Sequence, residues 1–245
     1  MYISLLAIFG LVVGSFLGAY TYRYPRGISV LRGRSVCPKC KKNLVWYDNL
    51  PILSFLLLRG RCRRCGKRIS WRYPAIELTT ALGFVAAGRL APNWLVLAVL
   101  LIIFSLLVAI FVIDLEEKTI PDELVFLGFG LTMFYLFLAD SPGLFVNLAV
   151  GFGTALFLLF VHLASRGRGM GLGDVKLAVF GGTLLGWPEA AIWLFVAFLT
   201  GAVVGTILVL AKKAAFGKPI AFGPFLVVSL IIVSIWGEKL VNLVF

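Results

Sequence analysis

Charge is what this sequence has least of. Only 14% of its 245 residues are Asp, Glu, Lys or Arg, against 61% hydrophobic, and the mean hydropathy is +1.02. A soluble domain of this size cannot enclose so much apolar surface, because folded interiors grow slowly with length and the remainder would coat the outside. The same arithmetic excludes a disordered chain, a coiled coil and a secreted disulfide scaffold. Histidine is almost missing. The single His162 gives no histidine-rich zinc site and no Ser-His or Cys-His hydrolase, and it is read as an interfacial hydrogen-bonder. Acids are scarce too, 11 against 23 Lys and Arg, for a formal charge of +12. In a membrane protein that excess reports topology and anionic lipid headgroups rather than nucleic acid.

What is present is a series of apolar runs. A spanning helix needs about 20 mostly apolar residues. Eight candidates stand out: Tyr2–Tyr20, Ala75–Leu90, Trp94–Ile113, Leu124–Leu138, Leu144–Leu163, Val175–Trp187, Ala190–Ala211 and Phe222–Trp236. Gly and Pro punctuate their short connections, as at Pro92, Pro121, Pro142, Pro188 and Pro219. The expected fold is an all-α polytopic membrane protein of about eight transmembrane helices. Its parts are a first helix (1–20), a cytoplasmic cysteine module (21–74) and a seven-helix membrane bundle (75–245). Fourteen of the 23 Lys and Arg lie between Arg23 and Arg72. On eight spans, 21 basic residues fall on that side, against Arg89 and Lys239 on the other. The positive-inside rule therefore places the 21–74 region in the cytoplasm and both termini outside. Gly10, Gly14 and Gly18 recur every four residues on one face of the first helix, where they permit another helix to approach closely.

Cys37-Pro38-Lys39-Cys40 and Cys62-Arg63-Arg64-Cys65 are two C-x2-C pairs separated by 21 residues. Two such knuckles present the tetrahedral four-sulfur shell that Zn²⁺ accepts. Seven basic residues crowd the cysteines, favouring thiolate and offsetting the double negative charge of a zinc tetrathiolate. Two disulfides are the competing reading, which a reducing cytoplasm disfavours. Four protein ligands leave no open position, so such a zinc is structural. Leu50–Leu58, between the pairs, is nearly all apolar and too short to span; it is expected in the interface or against the bundle.

Because acids are few, their places matter. Asp114 ends an uncharged run, and Asp174 follows Gly169-Met170-Gly171-Leu172-Gly173. The orientation puts both at cytoplasmic helix ends, where an ionisable group is costly unless it faces a wet cavity. Asp174 can equally cap its helix, whereas Asp114 sits at a helix C-terminus, where the dipole opposes negative charge. Two neighbouring carboxylates would share a proton, one activating water while the other protonates a carbonyl. Glu116, Glu117 and Asp122 are expected to form an acidic lip for a basic peptide, the alternative being a solvated loop with a helix start at Asp122. Glu77 is expected to pair with a nearby Arg or to belong to a second site.

These residues resemble the bacterial type IV prepilin peptidases, leader peptidases of the Gly-x-Gly-Asp aspartic class. The resemblance runs over nearly the whole chain: Ser15-Phe16-Leu17, Tyr22-Arg23-Tyr24-Pro25, Leu58-Arg59-Gly60-Arg61-Cys62, Ile69-Ser70-Trp71-Arg72-Tyr73-Pro74, Ile113-Asp114 with Ile120-Pro121-Asp122, Gly169 to Lys176, and Phe222-Gly223-Pro224. It implies that Asp114 and Asp174 are the catalytic pair, with Gly171, Gly173 and Lys176 in the active-site loop. It implies a substrate with a short basic leader and a hydrophobic helix, a prepilin or pseudopilin precursor, cut on the cytoplasmic face of the inner membrane. It further implies N-methylation of the new terminus with S-adenosylmethionine, in type IV pilus, type II secretion or competence systems. Gly18 stands where members usually have Asn, and Ala221 where Pro often precedes Phe-Gly-Pro. The first of these departures touches the region tied to methylation. The readings set against a bifunctional enzyme are a peptidase alone, a proton-coupled transporter and a non-catalytic assembly platform.

Overall fold

The computed structural model describes residues 2–30, 35–138, 143–167, 169–212 and 221–244. Arg32, Arg34, Arg168, Lys213 and Lys218, and the turns expected at Pro142 and Pro219, lie outside the described residues. The described chain is helical, with two isolated β-bridges and no strand among the described residues. Its helices are α1 (Tyr2–Arg23), α2 (Leu53–Leu57), α3 (Arg72–Leu90), α4 (Trp94–Glu117), α5 (Asp122–Leu138), α6 (Leu144–Ala164), α7 (Leu172–Leu185), α8 (Glu189–Leu210) and α9 (Gly223–Val244).

All except α2 occupy the places where the apolar runs predict spans. Five are long and apolar enough to cross a membrane: α1 continued to Arg26, α4, α6, α8, and α9 to Asn242. The helices α3, α5 and α7 are not among them, so the expectation of eight spans is met in helix positions but not in span character. The shortfall has a physical cause. Both α5, of 17 residues, and α7, of 14 residues, fall short of a hydrocarbon core of about 30 Å at about 1.5 Å per residue.

The chain divides into two compact units, Met1–Ala109 and Ile110–Phe245. In the first, α1 and α3 pack antiparallel along the glycine stripe. A Cβ on Gly10 would stand 2.6 Å from Ala81 Cα, one on Gly14 2.6 Å from Glu77 Cα, and one on Gly18 3.3 Å from Tyr73 Cδ1. Each step of four along α1 thus meets a step of four back along α3. Arg72 closes the seam, donating to Gly18 O (3.0 Å) and to Oγ1 of the fully buried Thr21 (2.7 Å). Glu77, 8% exposed, accepts the Ile52 backbone N–H at 2.8 Å. A backbone amide therefore takes the place of the expected arginine partner.

In the second unit α7 is the central helix, in contact with α5, α6, α8 and α9. Leu177, Ala178 and Phe180 have no exposed surface. Small residues let the neighbours close in. A Cβ on Gly182 would meet Thr154 Oγ1 at 2.3 Å, and one on Gly181 would meet the Trp193 ring at 2.4 Å. Thr154 donates to Ala178 O (3.0 Å) and Trp193 Nε1 to Leu226 O (2.8 Å), whereas the buried Thr183 Oγ1 has no partner among the described residues. Gly186, at φ +73, ends α7 in a conformation that side chains resist.

Candidate functional site

Asp114 lies in the last turn of α4, where the Lys118 N–H closes on its carbonyl (2.9 Å) and Lys118 takes φ +54, ending the helix. The chain turns through Ile120-Pro121 and Asp122 opens α5. Asp174 is the third residue of α7, and its Oδ2 accepts the Gly171 N–H at 3.0 Å, as an acid at that position does when it reaches back to the helix start. The N-cap itself is Gly171, so Asp174 caps the helix from the third position rather than as the N-cap expected of it. Asp114 and Asp174 are 5% and 6% exposed, and both line one cavity of about 390 Å³. Gly171, Gly173 and Lys176 share its wall.

Two close approaches shape this cavity. A Cβ on Gly223, the first residue of α9, would stand 2.6 Å from Asp114 Oδ2. One on Gly173 would stand 3.0 Å from Ile120 Cβ, so Ile120 wedges between the starts of α7 and α9. Gly171 differs: its backbone is extended (φ −82, ψ 156), and a Cβ there would meet nothing nearer than Asp174 Oδ2 at 3.5 Å. Neither strain nor packing demands glycine at 171; what it leaves is room beside the carboxylate. Asp114 Oδ2 is buried and has no hydrogen-bond partner among the described residues, with the Gly223 backbone lying against it.

The lip residues divide. Asp122 lines the cavity, but both of its oxygens face Lys176 Nζ, at 2.8 and 2.7 Å, bridging α5 to α7. Glu116 and Glu117 are exposed and stand outside the lining. One group passed over in the sequence matters here. His162 Nδ1 pairs with Met170 O at 2.7 Å, and Ser165 Oγ accepts the Gly169 N–H at 3.2 Å, so the end of α6 grips the glycine loop that carries Asp174. Nothing in the spacing of His162 signals this; only the tertiary contact of Met170 with the end of α6 brings it there. Gly223 had a signal, its place in Phe222-Gly223-Pro224, but no contact to interpret it.

Sequence comparison shows which family the chain belongs to. A profile of the bacterial peptidase A24 N-terminal domain matches residues 8–89, and that of the type IV leader peptidase family matches residues 101–206. A prepilin leader peptidase/N-methyltransferase of Aeromonas hydrophila is 35% identical, over 98% of this chain and 92% of its own length. The protein of that name from Bacillus subtilis (strain 168) is 36% identical over 98% and 96%, and that of Pseudomonas aeruginosa 32% over 94% and 89%. This chain belongs to the type IV leader peptidase family. The resemblance read from the motifs is thereby established, and the chain is an enzyme of prepilin processing. No solved structure matches it.

This leader peptidase also carries the cysteine module in folded form. The bridge Val36–Asn43 closes one knuckle and Arg61–Arg68 the other, with Cys37 N–H on Lys42 O (3.0 Å) and Cys62 N–H on Lys67 O (2.9 Å). Lys41 (φ 54) and Gly66 (φ 67) hold the matching left-handed corner of each. The four sulfurs lie within 4.8 Å of one another, with Cys37 and Cys65 at 4.0 Å, and none is in a disulfide. Tetrahedral Zn–S bonds of about 2.3 Å imply sulfur separations of about 3.8 Å, so the residues fit a metal ion. Thiols this close titrate unevenly. The Lys42 N–H draws Cys40 below its ordinary value, whereas at Cys65 the Lys67 N–H is outweighed by desolvation and neighbouring thiols, which push it up to about 11.

Proposed function

We propose that this leader peptidase is an aspartic endopeptidase in which Asp114 and Asp174 share one proton. The observation that carries the reading is their convergence on one cavity from the end of α4 and the start of α7. The ionised carboxylate takes a proton from water as the oxygen attacks the scissile carbonyl, and the protonated one delivers its proton to the carbonyl oxygen. Collapse of the tetrahedral intermediate breaks the C–N bond, and the departing amine takes a proton back. Because the pair titrates as a unit, cleavage follows a bell-shaped pH profile. No metal and no nucleophilic side chain enters these steps.

The substrate is a prepilin-like precursor with a short basic leader, presented on the cytoplasmic side of the bacterial inner membrane. The eight helix positions and the 21-to-2 division of basic residues support that orientation. Glu116 and Glu117 attract the leader away from the basic 21–74 region; Asp122 joins them by exchanging Lys176 for a leader cation. Cys37, Cys40, Cys62 and Cys65 hold a structural Zn²⁺. S-adenosylmethionine supplies the methyl group for the new N-terminal amine, a second activity that the relatives' names support.

The test is purified protein with a synthetic precursor, read by mass spectrometry with and without S-adenosylmethionine. Loss of the leader mass is expected, abolished in Asp114→Asn and in Asp174→Asn while circular dichroism stays unchanged. Undiminished cleavage by either variant removes the dyad. A product heavier by one methylene establishes methylation.

A further inference from the structure

The first unit carries an apolar surface that the proteolytic reading does not use. In α2, Leu53, Leu56 and Leu57 fall at i, i+3 and i+4, one face of the helix, and they are 58%, 62% and 79% exposed. Trp46 and Trp71 flank the segment in sequence and are 78% and 74% exposed. The opposite face is anchored: Phe55 is buried, its ring 4.8 Å from that of Trp71 and against Gly60. The module has thus turned one aromatic inward and left three leucines out.

Two observations indicate what covers them. The first is position. The entry to α2 is pinned by the Ile52 N–H on Glu77, and Glu77 abuts Gly14 within α1, a helix long and apolar enough to span a membrane. Side chains on a helix lean toward its N-terminus, so Glu77 reaches toward Arg72, which is bonded to Gly18 and Thr21 near the basic end of α1. The leucines therefore begin within about two turns, roughly 10 Å, of the level at which α1 leaves its apolar zone. The second is charge. Arg59, Arg61, Arg64, Lys67 and Arg68 follow directly and are exposed, while the one acid between residues 21 and 74, Asp48, is already paired with Arg63 at 2.9 Å.

We propose that α2 is a lipid-inserting paddle. Leu53, Leu56 and Leu57 lie in the headgroup–acyl boundary of an anionic bilayer, Trp46 and Trp71 sit at the same boundary, and the cations of the second knuckle contact lipid phosphates. A short apolar face beside cations is the composition of an interfacial element, and tryptophan favours that level. The module that holds the metal is thereby fixed to the membrane surface. The inference rests on the membrane placement of α1 and is independent of the carboxylate pair.

The experiment uses the full chain reconstituted into vesicles, with Leu57→Trp as reporter and the wild-type emission subtracted. The added emission is expected to be blue-shifted, shielded from acrylamide, and to lose most of its intensity when the acyl chains are brominated near the glycerol end. The loss is expected to be greater in phosphatidylglycerol than in phosphatidylcholine vesicles. Added emission quenched by acrylamide and indifferent to bromine overturns the paddle. So does emission that shifts only on addition of precursor, which would make the face a substrate groove. Equal quenching in both lipids overturns the role of the cations. Leu53→Trp repeats the test should the first variant misfold. Unaltered precursor cleavage by either variant shows that it is folded, and a failed paddle then leaves the peptidase reading standing.

Discussion

Both units bury carboxylates beside close-packed glycines, yet they do so to different ends. Glu77 lies in the α1–α3 seam with a backbone amide on its oxygen, and Gly14 opposite it admits helix backbone. Asp114 lies at a helix end with a buried oxygen that has no partner among the described residues, and Gly223 opposite it admits that oxygen. We read the first as architecture and, under the proposed dyad, the second, which lines a cavity beside another acid, as chemistry. Glycine spacing alone does not separate the two cases.

The contrast is sharpest in paired glycine substitutions. Gly223→Ala drives a methyl against Asp114 and is expected to cut kcat by about 100-fold, since displacing a reacting group by about 1 Å costs that much. Gly14→Ala meets the backbone at Glu77 and is expected to cost about 1–3 kcal/mol of stability through overpacking, with kcat per folded molecule unchanged. Thermal denaturation beside steady-state kinetics distinguishes them; a Gly223→Ala enzyme with normal kcat would break the comparison.

The cysteine module lies wholly in the first unit, so loss of the proposed metal is expected to act on stability before turnover. Cys62→Ser, or a chelator, should release the metal and open residues 35–71 to protease, while cleavage falls less than in Gly223→Ala. Metal analysis with limited proteolysis checks this. Acidification should act likewise, because protons compete for the thiolates.

His162 tests the second unit from outside the cavity. Removing one hydrogen bond worth about 1 kcal/mol in His162→Ala should lower kcat about fivefold. His162→Asn, which restores a donor near Nδ1, should recover most of it with KM unchanged. A fall in both variants would assign His162 to packing rather than to holding the Met170 carbonyl. The smallest expected change is a gain. Lys41 holds the left-handed corner that glycine holds in the other knuckle, so Lys41→Gly should stabilise by about 1 kcal/mol, read as a raised Tm.

Much of this was legible in the chain itself. Apolar runs mark where helices must form, because backbone without water must bond within its own segment. Two C-x2-C pairs carry their own knuckle geometry, and the scarcity of acids draws attention to Asp114 and Asp174. Contacts across distant segments were not legible. Composition cannot say that Asp122 spends its charge on Lys176, that Ile52 takes the place of an arginine at Glu77, or that Gly223 lies against Asp114. These depend on how one helix seats on another, and α7 shows why: its neighbours are chosen by the shapes that Gly181 and Gly182 leave open, not by any local signal. Local patterns determine which segments are helical and which residues can do chemistry. Side-chain packing between segments far apart in sequence decides which of those residues meet.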